Sequence, residues 1–190
     1  MGIFGFIVVG LMVVGVVYFI MLYNGLVQIK HNVSKAWANI DVLLKQRHDE
    51  LPKLVETCKQ YMKYEQETLE KVMQARAGVA AAQQARNIPA LGQAEGALRA
   101  GLGGLFALAE AYPELKANST FQHLQQRITG LENAIADRRE FYNESVNINN
   151  VRIEQFPDVI LARNFNFPSF ELLQFKDEEK QDVDIKQLFG

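Results

Sequence analysis

The sequence predicts an all-α protein: an N-terminal single transmembrane helix, then an up-and-down antiparallel helical bundle of three long helices, or four if the first breaks at Pro52. Three observations carry this. Residues 3 to 22 are twenty consecutive residues without a charge, the length that crosses about 30 Å of hydrocarbon. From Tyr23 to about Arg86, apolar side chains recur at alternating steps of four and three, the periodicity of a helix with one buried face and not of a strand. A second run with the same steps extends from Phe121 to Tyr142.

The apolar segment reads as a persistent anchor. No basic residue precedes it, and no small-residue cleavage site follows it before Tyr23, so it lacks the marks of a cleaved signal peptide. Gly5, Gly10 and Gly15 are spaced by five and do not form the four-residue pattern that lets two spans approach closely. Tyr23, Asn24 and Lys30 follow the span and are the expected membrane-interface residues. Lys30, Lys35, Lys45 and Arg47 all lie on its C-terminal side. The positive-inside tendency therefore predicts a cytoplasmic C-terminal bundle.

In the long helical stretch the seam runs Val33, Trp37, Ile40, Leu44, Arg47, Leu51, Leu54, Cys58, Tyr61, Glu65, Thr68 and Val72, apolar except at Arg47, Glu65 and Thr68. Past Cys58 the stripe drifts onto Met62, Leu69 and Met73, as an ordinary helix drifts against a strict heptad. Pro52 removes a backbone hydrogen bond within this run. Continuity of the apolar phase across it predicts a kinked helix; the alternative is a corner at His48, with Asp49 capping a new helix. Val33, Trp37, Ile40, Leu44 and Leu54 are the expected bundle core on this helix. Truncating Trp37 to alanine is expected to cost about 3–5 kcal/mol if the ring is fully buried.

Asn87 and Pro89 end the long helix and open a second, in which Leu91, Ala94, Leu98, Leu102, Leu105, Ala109 and Tyr112 keep helical spacing. Its five glycines weaken it by up to about 1 kcal/mol each; they either permit close packing or leave a loosely formed helix and loop. Pro113 suits the first turn of a third helix, whose core positions are Leu124, Ile128, Leu131 and Ile135 within the run from Phe121 to Tyr142. The predicted organisation is thus an anchor over 1–22, a helical bundle over 23–156, an aromatic-rich docking segment over 157–176 and an acidic tail over 177–190. Phe165, Phe167, Phe170 and Phe175 are a large apolar load for one short segment, which either wraps back onto the bundle or makes these residues the contacts with a partner, a second copy or the membrane.

Chemistry is hard to find. Among 190 residues the net charge is −2 with both signs interspersed, which gives no global basic field for nucleic acid. The lone cysteine, Cys58, excludes an internal disulfide and any multi-cysteine metal site, and its place on the apolar stripe predicts a buried, inert thiol. His31, His48 and His123 stand far apart and fall in no metal-ligand spacing. No phosphate-cradling loop or nucleophile elbow is present. The residues therefore predict no catalytic, cofactor-binding or metal site.

Several phrases resemble the LemA family of bacterial membrane-anchored helical proteins: Tyr23-Asn24-Gly25-Leu26-Val27, Ala36-Trp37-Ala38-Asn39-Ile40-Asp41-Val42 and Leu51-Pro52-Lys53-Leu54-Val55, followed by Tyr112-Pro113-Glu114-Leu115-Lys116-Ala117, Glu132-Asn133-Ala134-Ile135 and Tyr142-Asn143. The resemblance covers almost the whole chain and departs from the family pattern at the C-terminus. It implies a single span followed by a helical bundle in the bacterial inner membrane, and no active-site residues. The expected function is a non-enzymatic scaffold that contacts membrane lipid and self-associates, with no cofactor. The alternative is an adaptor for a membrane protein such as a protease or sensor.

Overall fold

The computed structural model describes residues 2–174, and among them it is entirely helical apart from turns and a C-terminal extended stretch. Phe175 and the tail 177–190 lie outside the described residues. Six helices follow one another: α1 (Ile3–Lys59), α2 (Gln66–Gln84), α3 (Ile88–Ala109), α4 (Pro113–Lys116), α5 (Ser119–Glu154) and α6 (Asp158–Asn164). The chain forms two compact units, both drawing on α1 and α5: the stretch up to Asn39 with Glu140–Glu171, and Ile40–Arg139 with the stretch that starts at Leu172.

Helix α1 carries the apolar N-terminal segment. Its most apolar 18-residue window has a mean hydropathy of 2.8, and none of that window is buried. Among the described residues it alone is long and apolar enough to cross a membrane. It also continues unbroken through Pro52. Proline at 52 has no N–H to give the carbonyl of His48, four residues back, and that carbonyl instead accepts from Arg76 Nε of α2 at 2.9 Å. A side chain from another helix satisfies the group that the proline leaves unpaired, so the helix continues.

The long helix stops sooner than its periodicity predicts. Instead of running on to Arg86, α1 ends at Lys59, and a six-residue corner precedes α2. No glycine or proline marks residues 60–65. Tertiary contacts hold the corner: Met62 is fully buried, Asn118 Nδ2 donates to the Tyr61 hydroxyl at 3.1 Å, and the Tyr112 hydroxyl donates to Glu65 Oε1 at 3.3 Å. Local sequence favoured helix, and packing overrode it.

The second unit buries the seam residues Ile40, Leu44, Arg47, Leu51, Leu54 and Cys58 on α1, with Phe121, Leu124, Ile128, Leu131 and Ile135 on α5. Helices α2 and α3 form a hairpin. Gly78 faces Ala94, and Gly101 faces Val72, at 3.8 and 3.5 Å from an ideal Cβ, so the two helices run antiparallel with small residues at the contact. The hairpin turn is a Schellman motif: Arg86 takes φ 52°, and Asn87 N donates to Ala82 O at 3.1 Å. Asn87 Oδ1 then caps α3 by accepting from Ala90 N at 3.0 Å. Despite its glycines, α3 is a complete helix of 22 residues.

Two boundaries differ from expectation. Pro113 opens only the four-residue α4; the long helix starts at Ser119, where Asn118 Oδ1 accepts from Phe121 N at 3.0 Å. Beyond Pro157 the chain forms the short helix α6 before it becomes extended. Gly92 on α3 lies so close to Gln174 that an added Cβ would fall 2.0 Å from the Gln174 carbonyl oxygen; any side chain there would displace the extended stretch.

The first unit buries Leu26, Val33, Ala36, Tyr142, Val146 and Asn149. Trp37, expected in the core, is half-buried, and Ala36 takes the inward position. The indole meets Tyr142 edge-on at 5.6 Å between centroids. With part of the ring already in water, Trp37→Ala is expected to cost about 1–2 kcal/mol by thermal or urea unfolding, below the range for a fully buried tryptophan.

Candidate functional site

Buried charge is the most unusual feature of the second unit. Arg47, 1% exposed, reaches Glu95 of α3 through Nη2 and Glu132 of α5 through Nη1, the latter at 2.5 Å. Glu95 is itself only 3% exposed. Arg99 Nε lies 3.5 Å from the second oxygen of Glu132, so the charges alternate Glu95, Arg47, Glu132, Arg99 and cancel. Burial pushes the Glu95 carboxyl above its ordinary value against the pull of Arg47. For Arg47 burial acts to lower the value, but Glu95 and Glu132 outweigh it. Arg47 Nε is buried without a partner. Three helices are thereby tied at one level by one side chain.

A second polar cluster lies between α1 and α2. Arg76 Nη2 meets His48 Nε2 at 2.6 Å, and Gln83 Nε2 donates to Asp41 Oδ1 at 2.7 Å. Asp41, His48 and Gln83 edge a shallow cleft of about 360 Å³ that Lys45 and Arg86 also line. An arginine can only donate, so His48 Nε2 accepts and the ring is neutral. Burial and the Arg76 charge lower its pKa, opposed by Asp49. As pH falls below about 6.5 the unfolded chain takes up a proton that the folded chain resists. Stability is thus expected to fall with decreasing pH through the folded pKa of His48, and His48→Gln, which keeps an acceptor, should flatten that part of the profile.

Another cleft of the same unit, about 750 Å³, lies at the α1–α2 corner between Val55, Met62, Leu69 and Met73, with Lys59, Lys63, Gln66 and Glu70 also lining it. It offers an apolar floor and a rim of mixed charge, and among the described residues no thiol, hydroxyl or imidazole lines it. Cys58 is buried, and its thiol is pushed up to about 12 by burial, so its thiolate is negligible at neutral pH. Among the described residues no group of three His, Cys, Asp or Glu side chains is placed to hold a metal ion. Glu50 is paired with Lys53 at 3.1 Å and Arg127 at 2.9 Å.

In the first unit one expected interface residue, Tyr23, meets two of the expected contact residues. Tyr23 meets Phe165 and Phe167 edge-on, with centroids at 5.1 and 5.9 Å, while Asn24 and Lys30 are exposed. Phe165 also meets Phe19 at 6.2 Å. Phe167 packs on the small core of Leu26, Leu161 and Ala162. Phe170 is half-buried, and its backbone is gripped by Asn150 of α5: Asn150 Nδ2 donates to Phe170 O at 2.9 Å and Asn150 Oδ1 accepts from Phe170 N at 3.0 Å. Asn149 Nδ2 donates to Pro168 O at 3.0 Å, and the Tyr142 hydroxyl donates to Glu171 O at 3.0 Å.

The profile of the LemA family matches residues 36–187. A protein named LemA from Metamycoplasma hominis is 26% identical over 187 residues, covering 97% of this chain and 84% of that protein. Two proteins named for the magnetosome are similar over a shorter stretch: MamQ 2 of Paramagnetospirillum magneticum, 32% identical over 96 residues, and MamQ of Magnetospirillum gryphiswaldense, 30% identical over 96 residues. Those matches cover 50% of this chain but only 35% of either relative, so the chain spans about a third of their length.

Proposed function

The chain belongs to the LemA family, and from that premise we propose that it is a non-enzymatic, membrane-anchored helical protein that self-associates into a higher-order scaffold organising membrane proteins. In this reading α1 spans a bacterial inner membrane, the remaining helices form an up-and-down bundle on the cytoplasmic side, and lipid and further copies of the chain are the partners. The observation that carries self-association is an apolar stripe left uncovered on α5. Phe141, Ile148 and Val151 are each more than 40% exposed, and their steps of seven and three place them on one helix face. A solvated helix face is normally polar; a seam of this spacing is the usual surface for a second helix.

The mass of the full-length protein in nanodiscs or mild detergent tests this. The expected result is a discrete oligomer that Phe141→Glu/Ile148→Glu converts to monomer without loss of helicity. A full-length protein that remains monomeric at high concentration would remove the scaffold reading. The adaptor reading draws on the exposure of Phe165 and Leu172, and it requires that deleting residues 157–190 abolish capture of a membrane partner while the helices stay folded.

A further inference from the structure

We infer that the elbow formed by α6 and the residues just past it is a second membrane contact, with Phe165 seated at the boundary between acyl chains and headgroups beside the emerging span. The inference rests on the reading of α1 as a transmembrane helix and adds to it a surface that no part of the span supplies.

Depth is fixed by contacts within the first unit. The predicted span ends at Leu22, followed by the interfacial pair Tyr23-Asn24 and, at Lys30, the first charge, and Phe19 lies three residues inside that end, roughly 4–5 Å at about 1.5 Å per residue. The Phe165 ring touches Phe19 on one side of the boundary and Tyr23 on the other, so it lies at the boundary itself. It is nevertheless 50% exposed: two aromatic edges cover part of it, and the rest faces whatever surrounds α1 at that level. What surrounds a span there is lipid. Tyrosine and other amphipathic aromatic groups concentrate at this depth, and a short helix with an apolar outer face lies along the interface plane.

The rest of the elbow fits the same occupant. Leu161 and Ala162 turn inward onto Leu26, with Leu22 and Tyr23 packed alongside, which pins α6 to the first turns beyond the span. Its outer side presents Ile160, and Phe156 precedes it; these are 51% and 80% exposed. Arg163, in the last turn of α6, is exposed as well, as is Lys30 on α1. Cations flanking an apolar face suit anionic headgroups. Asn166, at φ 52°, closes α6 with the bond from Phe167 N to Ala162 O at 3.0 Å, and this cap turns the chain so that both Phe165 and Phe167 face α1.

Tryptophan fluorescence in nanodiscs carrying acyl-brominated lipids tests the inference with the full chain. Trp37 is the sole tryptophan and, fifteen residues past Leu22, about 22 Å beyond the boundary, so the unaltered protein supplies the aqueous baseline. Phe165→Trp and Val13→Trp, each in a Trp37→Phe background, report the elbow and the middle of the span. The expected result is quenching of the tryptophan at 165 several-fold above the Trp37 baseline. It should be stronger with bromine near the headgroup end than near the methyl end, and the tryptophan at 13 should show the opposite preference. Baseline quenching at 165 with strong quenching at 13 would overturn the elbow while leaving the span intact, and would point to a protein covering Phe165. Deep-label preference at 165 would place it within the core of the bilayer and overturn the interfacial assignment. No quenching at 13 would remove the span and the elbow together.

Discussion

Arg47→Met is expected to destabilise the protein by about 3–5 kcal/mol, the range for removing one partner of a buried ion pair. Methionine fills much the same length, so the cost is electrostatic. Glu95, 3% exposed, loses its cation, whereas Glu132 keeps Arg99. Burial already pushes the Glu95 carboxyl upward with Arg47 in place; without the guanidinium, Glu95 must protonate or drag water into the core. Pairing Arg47→Met with Glu95→Met should recover most of the loss, because well-packed apolar groups commonly match or exceed the stability of a buried pair. Thermal unfolding of the single and double variants decides it, at about 2–4 °C per kcal/mol for a chain of this size. A single-variant cost below about 1 kcal/mol would mean that water reaches Glu95 and that the three helices are held by their apolar seams alone.

The network also shows where the sequence was readable and where it was not. Arg47 stood out as a charge on an apolar seam, but its partners were hidden. Glu95 is in phase with Leu91, Leu98, Leu102 and Leu105, so an acidic residue on the inward face of α3 was visible in the spacing, yet the neighbouring Ala94 satisfies the same period. Periodicity finds a face and cannot choose between adjacent small and polar residues on it. Likewise it found α3 and most of α5, since the seams are local and strongly patterned. It missed the corner at residues 60–65 because nothing local breaks the helix there; the contacts of Tyr61 with Asn118 and of Glu65 with Tyr112 span about fifty residues. Pro52 had the opposite fate, a local breaker overruled by Arg76 from a distant turn. Helix α6 is only seven residues long, too short for a periodic signal. The phenylalanines around it were legible as an apolar load, but their pairing with Phe19 and Tyr23 was not.

Asn150→Ala is expected to free the extended stretch at residues 168–171 from α5. The asparagine side chain mimics a peptide group: its amide donates to Phe170 O and its carbonyl accepts from Phe170 N, as a neighbouring strand would. Alanine leaves both backbone groups without these partners in a half-buried setting, a loss of about 1–3 kcal/mol. The bonds from Asn149 to Pro168 and from Tyr142 to Glu171 remain, so the unit should stay folded while the stretch opens. Amide exchange at Phe170 should then quicken by about 10–100-fold, with little change at Leu26 or Val33. Asn150→Asp separates the two bonds. Its carboxylate still accepts from Phe170 N but turns a negative oxygen toward the Phe170 carbonyl, so the stretch should open at neutral pH and recover partly as the carboxyl protonates, near pH 4. Unchanged exchange at Phe170 in the alanine variant would assign the hold on this stretch to the Phe167 packing instead. In that case the elbow, and not the asparagine pair, determines where the C-terminal segment lies on the first unit.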